Sequence, residues 1–265
     1  DWTPEKLKPH LTYINSEGKA VDKMFDAVLF LAVSSVYGNW FADVDWDPNK
    51  TSASLKDWEW YINDKLFKPD GDLEHLNQAA QIASLDLNDP DYKVKLVLMI
   101  PGISWSKTNF GTLNGRQLNM KVKEDRDYLI DWYIDTVCEK FEAGNYDYID
   151  FSGFYWFDES IAYSPDAAVY AGTKVHERDM HFFWIPYFGT TGGHWDEAFG
   201  IDATAIQPNH YFGEGYLKND KGYIGNDRVK NTARLASYGQ VGIEMEVDGG
   251  AARTVENANK FIDYL

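Results

Sequence analysis

Strand-length apolar runs alternate with helical patterns along almost the whole chain, and that alternation limits the fold more than any other feature. Seven runs qualify as strands: Leu7–Ile14, Phe25–Ser34, Tyr92–Pro101, Tyr148–Phe151, His181–Tyr187, Ala203–Asn209 and Val241–Asp248. Between them lie helical spacings over Leu55–Phe67, Leu73–Ala83, Glu124–Phe141, Pro165–Arg178, Asn226–Tyr238 and Thr254–Tyr264. Strands that alternate with helices point to a parallel sheet covered by those helices. Near-continuous apolar runs such as FDAVLFLAVS fit strands buried on both faces. An open nucleotide-binding sheet alternates in the same way. No glycine fingerprint of the G-x-G-x-x-G type follows any strand here, which favours the other parallel architecture. The expected fold is therefore an α/β, (β/α)8 TIM barrel formed by residues 1–265 as one domain, with its last strand or helix lacking or truncated. A barrel of this kind typically takes about 250 residues, and the chain has 265.

In such a fold, chemistry sits where strands end. The stretch YDYIDFSGFYWFDES, Tyr146–Ser160, finishes an apolar strand with Asp158 and Glu159. One reading makes these acids caps for the helix that starts near Ser164-Pro165-Asp166, and the other places a carboxylate at the site. On the run from Val241, Gly242, Glu244, Glu246 and Asp248 share one face, while Val241, Ile243, Met245 and Val247 share the other. If the apolar face meets the surrounding helices, the acids point inward, and buried carboxylates mark a site because they are costly otherwise. A solvated acidic edge strand is the plainer alternative.

Two carboxylate groups at strand ends are the arrangement glycoside hydrolysis uses: one acid protonates the leaving oxygen and the other attacks or activates water. Glu159 follows an aromatic strand, so an apolar wall favours its protonated form and the acid/base role. Glu246 is expected as nucleophile or base, with Glu244 the alternative. Gln207 and Asn209 can hydrogen-bond sugar hydroxyls, Asn39 ends another strand, and Trp40, Trp105, Tyr155, Tyr187 and Tyr211 can stack or donate. A catalytically inactive carbohydrate-binding barrel would show the same aromatic strand ends. Aromatic residues make up 16% of the chain, with 10 Trp and 17 Tyr, in keeping with either reading.

Other chemistries find less support. There is no G-x-S-x-G elbow and no H-E-x-x-H, and the six histidines are scattered, so His194 and His210 read as polar loop residues. Asp43, Asp45 and Asp47 resemble a calcium loop, but Pro48 and Ser54 stand where glycine and a bidentate glutamate are needed, so the run reads as a solvated loop. No metal and no cofactor is expected. Cys138 is the sole cysteine, which excludes an intrachain disulfide. A net charge of −17 repels nucleic acid and anionic membranes and favours a neutral or cationic ligand. No run of 18 apolar residues is present. With Asp1 in place of Met, the chain reads as processed, and a secreted or cell-surface monomer acting on carbohydrate is expected.

The segments GFYWFDES at 153–160, FFWIPYFG at 182–189, QPNHYF at 207–212 and GIEMEVDG at 242–249, together with the opening DWTPEKLKPHLTYI and the MFDAVLFL run, resemble a bacterial family catalogued as domain of unknown function 4855. The resemblance covers essentially the whole chain. It implies a barrel of glycoside-hydrolase type, often found in secreted proteins of carbohydrate-using bacteria, and implies no particular substrate. Seven strands are legible where a full barrel has eight.

Overall fold

A computed structural model describes residues 2–190, 199–212, 218–219, 222–223 and 227–265. It divides into two compact units: Asp1–Phe157 with Thr173–His181, and Asp158–Gly172 with Phe182–Leu265. The later part of the glycine-rich loop, Thr191 to Gly193, and His194 lie outside the described residues.

In the first unit the chain begins with a helix, α1 (Pro4–Leu11), where a strand was expected. Thr3 explains the difference: its hydroxyl accepts from the Lys6 amide, and Pro4 supplies a preset first helical turn. Leu7 and Leu11, four apart, then bury on one face. Only the tail of the run is extended, as β1 (Thr12–Ile14), which pairs antiparallel with β2 (Ala20–Lys23). The Asn15 side chain closes that hairpin by accepting from the amides of Glu17 and Lys19.

The parallel strands of this unit are β3 (Ala27–Phe30), β4 (Val94–Ile100) and β7 (Ile149–Trp156), with β4 between the other two. Helix α2 (Leu55–Trp60) continues into a π-helical turn, Tyr61–Leu66, and is followed by α3 (Asp72–Leu87). A hairpin, β5 (Gly111–Leu113) with β6 (Arg116–Leu118), precedes α4 (Lys123–Gly144). Left-handed Asn145 ends α4, with φ 52°. Trp58, Phe110, Tyr133 and Phe154 pack edge-on as the aromatic centre. Their buried hydroxyl is satisfied, since Tyr133 donates to the Met99 carbonyl at 2.6 Å.

Pairing slips within β7: Leu96 faces Phe151 but Val97 faces Gly153, so Ser152 is an extra, bulged residue. The bulge sends Gly153 against the backbone of His181. A Cβ at Gly153 would stand 2.0 Å from the His181 carbonyl oxygen, closer than any side chain tolerates. Glycine is required there by close approach.

The second unit holds β8 (His181–Trp184, from Phe182 onward), β9 (Ala203–Ile206) and β12 (Gly242–Ile243), parallel with β9 in the middle. The backbone pair β10 (Lys218–Asn219) and β11 (Gly222–Tyr223) precedes α6 (Asp227–Gly239), and α7 (Val255–Ile262) follows β12. Helix α5 (Pro165–His176) starts in this unit and finishes in the first.

The expectation of a (β/α)8 barrel is therefore corrected. Each unit holds three parallel strands, six among the described residues, and small antiparallel pairs account for the rest. The causes are local. The first expected strand is spent on α1 and a hairpin, and the run Val241–Asp248 keeps only two residues in the sheet before it turns away. The apolar side of that run is not covered as expected: Met245 is 46% and Val247 48% exposed.

Candidate functional site

The predicted acids and amides of the second unit gather at the C-terminal ends of its parallel strands. Past β8, Tyr187 bridges Gln207 in parallel register, and Gln207 donates its amide to the Pro186 carbonyl at 2.8 Å while accepting from Phe188 at 3.0 Å. One strand over, the Glu244 amide donates to the Ile206 carbonyl at 3.0 Å, which sets Glu244 beside Gln207. Glu159 joins from the segment after β7. Its carbonyl accepts from the Tyr187 amide at 3.3 Å and from the Thr190 hydroxyl at 3.0 Å. Turned so that its nitrogen faces the carboxylate, the Gln207 side chain donates to both Glu159 oxygens, at 3.1 and 3.3 Å. Next in the chain, Ser160 caps the separate 3₁₀ turn Ile161–Tyr163, its hydroxyl accepting from the Ala162 amide.

Glu246 is the fixed member of the group. It is 4% exposed, and its Oε2 accepts from the amides of His210 at 2.8 Å and Tyr211 at 3.4 Å, and from the Tyr264 hydroxyl. Two consecutive amides converge on one oxygen because Asn209 is left-handed, with φ 49°. That conformation makes a small anion nest in the backbone. Asn tolerates it better than other side-chain-bearing residues. Arg228 steadies the turn by donating to the Asn209 carbonyl at 2.8 Å, its guanidinium lying 4.4 Å above the Phe188 ring. Asn209 thus has a backbone role that does not depend on any sugar. Asn209→Gly is expected to keep the fold, whereas Asn209→Val should cost about 1–3 kcal/mol, read as a lowered melting temperature, because a β-branched residue resists this conformation.

Helix α7 delivers two residues that sequence reasoning missed. Asp263 Oδ2 lies 2.8 Å from Nε2 of His210, whose side chain is fully buried, and Tyr264 reaches Glu246. His210 is a packed element of the site rather than a polar loop residue. No spacing in the chain links position 210 or 246 to 263 and 264; only the way α7 packs brings them together. Tyr211 is 4% exposed and donates to Asp248 Oδ1 at 2.7 Å, and that bond, with the Gly250 amide, holds the Asp248 carboxyl below its usual range.

The carboxylates feel one another. Burial raises the Glu159 pKa, the Gln207 hydrogen bond opposes that rise, and the charge of Glu246 adds to it. By surface area Glu159 is nonetheless an exposed residue, so solvent screens part of that rise. Burial, then the charges of Glu246 and Glu159, push Glu244 up to about 7. Burial and the bond to Glu246 raise Tyr264, so its hydroxyl stays protonated and donates. Glu244 Oε2 and Glu246 Oε1 are buried without a hydrogen-bond partner among the described residues.

The remaining predicted residues lie in the first unit. Asn39 donates to both oxygens of Asp57, at 3.0 and 3.1 Å, where Asp57 closes the capping box of α2 with Ser54. Lys50 sits 4.2 Å above the Trp40 ring, Trp105 is 40% exposed, and Tyr155 is buried in β7 edge-on to Phe157. In the aspartate run, Asp45 accepts from the Ser52 amide and Asp47 from the Asn49 amide. Among the described residues no group of His, Cys, Asp and Glu is arranged to hold a metal ion, and no helix is long and apolar enough to cross a membrane.

The fold and site together define an α/β protein that presents three interacting glutamates at parallel strand ends, one of them clamped by backbone amides. The chain belongs to the family described as Domain of unknown function (DUF4855), whose model matches residues 1–265. No curated protein matches the sequence.

Proposed function

We propose that this chain is a glycoside hydrolase that cleaves a polysaccharide or glycan with the carboxylates of its second unit. One observation carries the reading: Glu246 is held by three donors, an environment for an anion, while the carboxyls beside it are pushed toward their protonated forms. Glycoside hydrolysis needs that pairing of an ionised with a protonated carboxylic acid. Glu246 is assigned as nucleophile or base, its Oε1 without a donor among the described residues and so available to attack or to take a proton. Glu159 is assigned as acid/base, since an acid that gives and regains protons benefits from its contact with solvent, and Gln207 orients it.

A panel of neutral, amino and acidic glycans, read by release of reducing ends, tests the proposal. Turnover of at least one glycan is expected. Glycan binding with no turnover at any pH would instead make the protein an inactive carbohydrate-binding relative.

A further inference from the structure

Two carboxylates suffice to cleave a glycosidic bond, and the described residues bring three glutamates within electrostatic reach of one another. Glu244 is the surplus one. It stands two residues before Glu246 on the run after β12, its own amide held by the Ile206 carbonyl at 3.0 Å. Its buried Oε2 has no donor among the described residues. The same holds for Oε1 of Glu246, a side chain that is 4% exposed. Among the described residues, Lys260 turns toward the Tyr211 carbonyl at 3.4 Å and Glu256 at 3.8 Å, and Arg228 donates to the Asn209 carbonyl.

We propose that the glycan bound here carries a protonated amino group, as in an unacetylated 2-amino sugar, and that Glu244 receives this ammonium while Glu246 faces the neighbouring anomeric carbon. The inference rests on the glycosidase reading for the role of Glu246. In a 2-amino sugar the nitrogen sits on the carbon next to the anomeric one, so a single ring can address two acids that are two residues apart. An ammonium brings three N–H donors and a countercharge to this crowded carboxylate group. A neutral hydroxyl brings one donor and no charge, and an N-acetyl group adds bulk without charge. Burial and neighbouring charges hold the Glu244 carboxyl at about 7, so a cation at that point relieves a cost that a neutral sugar leaves in place. The overall charge of −17 draws the same class of ligand toward the protein.

Calorimetric titration of the whole chain with free-amine and fully N-acetylated tetrasaccharides of glucosamine and of galactosamine tests this directly. At least one free-amine oligomer is expected to bind about tenfold or more tightly than its acetylated twin, the size of effect a charge-assisted hydrogen bond gives. Glu244→Gln should abolish that preference. A tetralysine peptide of equal charge should bind no better than the acetylated sugars. Equal binding of both forms, binding of neither, tetralysine binding as tight as the sugar, or a preference that survives in Glu244→Gln would each overturn the inference. Should that variant not fold, the wild-type comparison and the tetralysine control still decide. Reducing-end release on the same oligomers keeps the two readings apart, because selective binding without cleavage refutes the hydrolase and leaves amine recognition standing.

Discussion

Glu246→Gln should lower glycan turnover by on the order of 10³-fold or more, with little loss of folded protein. The expectation of an intact fold comes from how the carboxylate is held. All three donors, the amides of His210 and Tyr211 and the Tyr264 hydroxyl, address Oε2, so the glutamine carbonyl can occupy that place. Its NH2 then falls where Oε1 had no partner among the described residues. What disappears is the carboxylate and the oxygen proposed as nucleophile or base. Glu159→Gln should lose activity through a different step, and the two are separable. In a retaining enzyme azide can substitute for the acid/base-assisted water, so rescue of Glu159→Gln on an activated aryl glycoside marks retention and confirms its role. Near-normal turnover in Glu246→Gln together with loss in Glu244→Gln would show that the nucleophile or base is Glu244. Circular dichroism melts of each variant separate chemical loss from unfolding.

The second large effect is on stability and depends on pH. In the folded protein Glu244 titrates at about 7, against a reference of 4.5 for an unperturbed glutamate, because burial and the charges of Glu246 and Glu159 disfavour its ionised form. The unfolded chain therefore releases this proton as pH rises through 4.5, while the folded chain keeps it until about 7. Fewer protons bound in the unfolded state means that stability falls with rising pH across that window and levels off above it. With the partial access of solvent to this side chain allowed for, the loss is about 2 kcal/mol. Glu244→Gln removes the titration. The variant should match the wild type at pH values below the window and exceed it above, by about 5 °C in melting temperature. A wild-type minus variant difference that stays flat with pH would show that Glu244 ionises normally and that the three glutamates do not crowd one another.

Much of the chain was legible from pattern alone, because helical and extended periodicities are local properties. Helix α4 was set by apolar spacing over Leu129, Tyr133 and Val137, and β4 by its run of apolar residues. The site was partly legible for the same reason. The period of an extended chain put Glu244 and Glu246 on one expected face, and Glu159 follows an apolar strand, so all three could be marked from residue order, although the run leaves the sheet after Ile243. Family membership was likewise written in short ordered segments. The first expected strand was misjudged where two local signals compete: LKPHLTYI reads as extended, but Thr3 and Pro4 start a helix just before it.

Residue order could not decide how many strands join a parallel sheet, since pairing is a contact between distant segments. An eight-stranded barrel was expected from alternation, and six parallel strands are found among the described residues. Nor could it show that Asn209 adopts a left-handed conformation, that His210 and Tyr211 thereby turn two amides onto Glu246, or that α7 carries Asp263 and Tyr264 back to them. Residue types and their periodicity made these glutamates candidates. Long-range packing decided which of them is clamped by hydrogen-bond donors and which is left crowded, because the donors, charges and burial around a carboxyl come from segments distant in the chain.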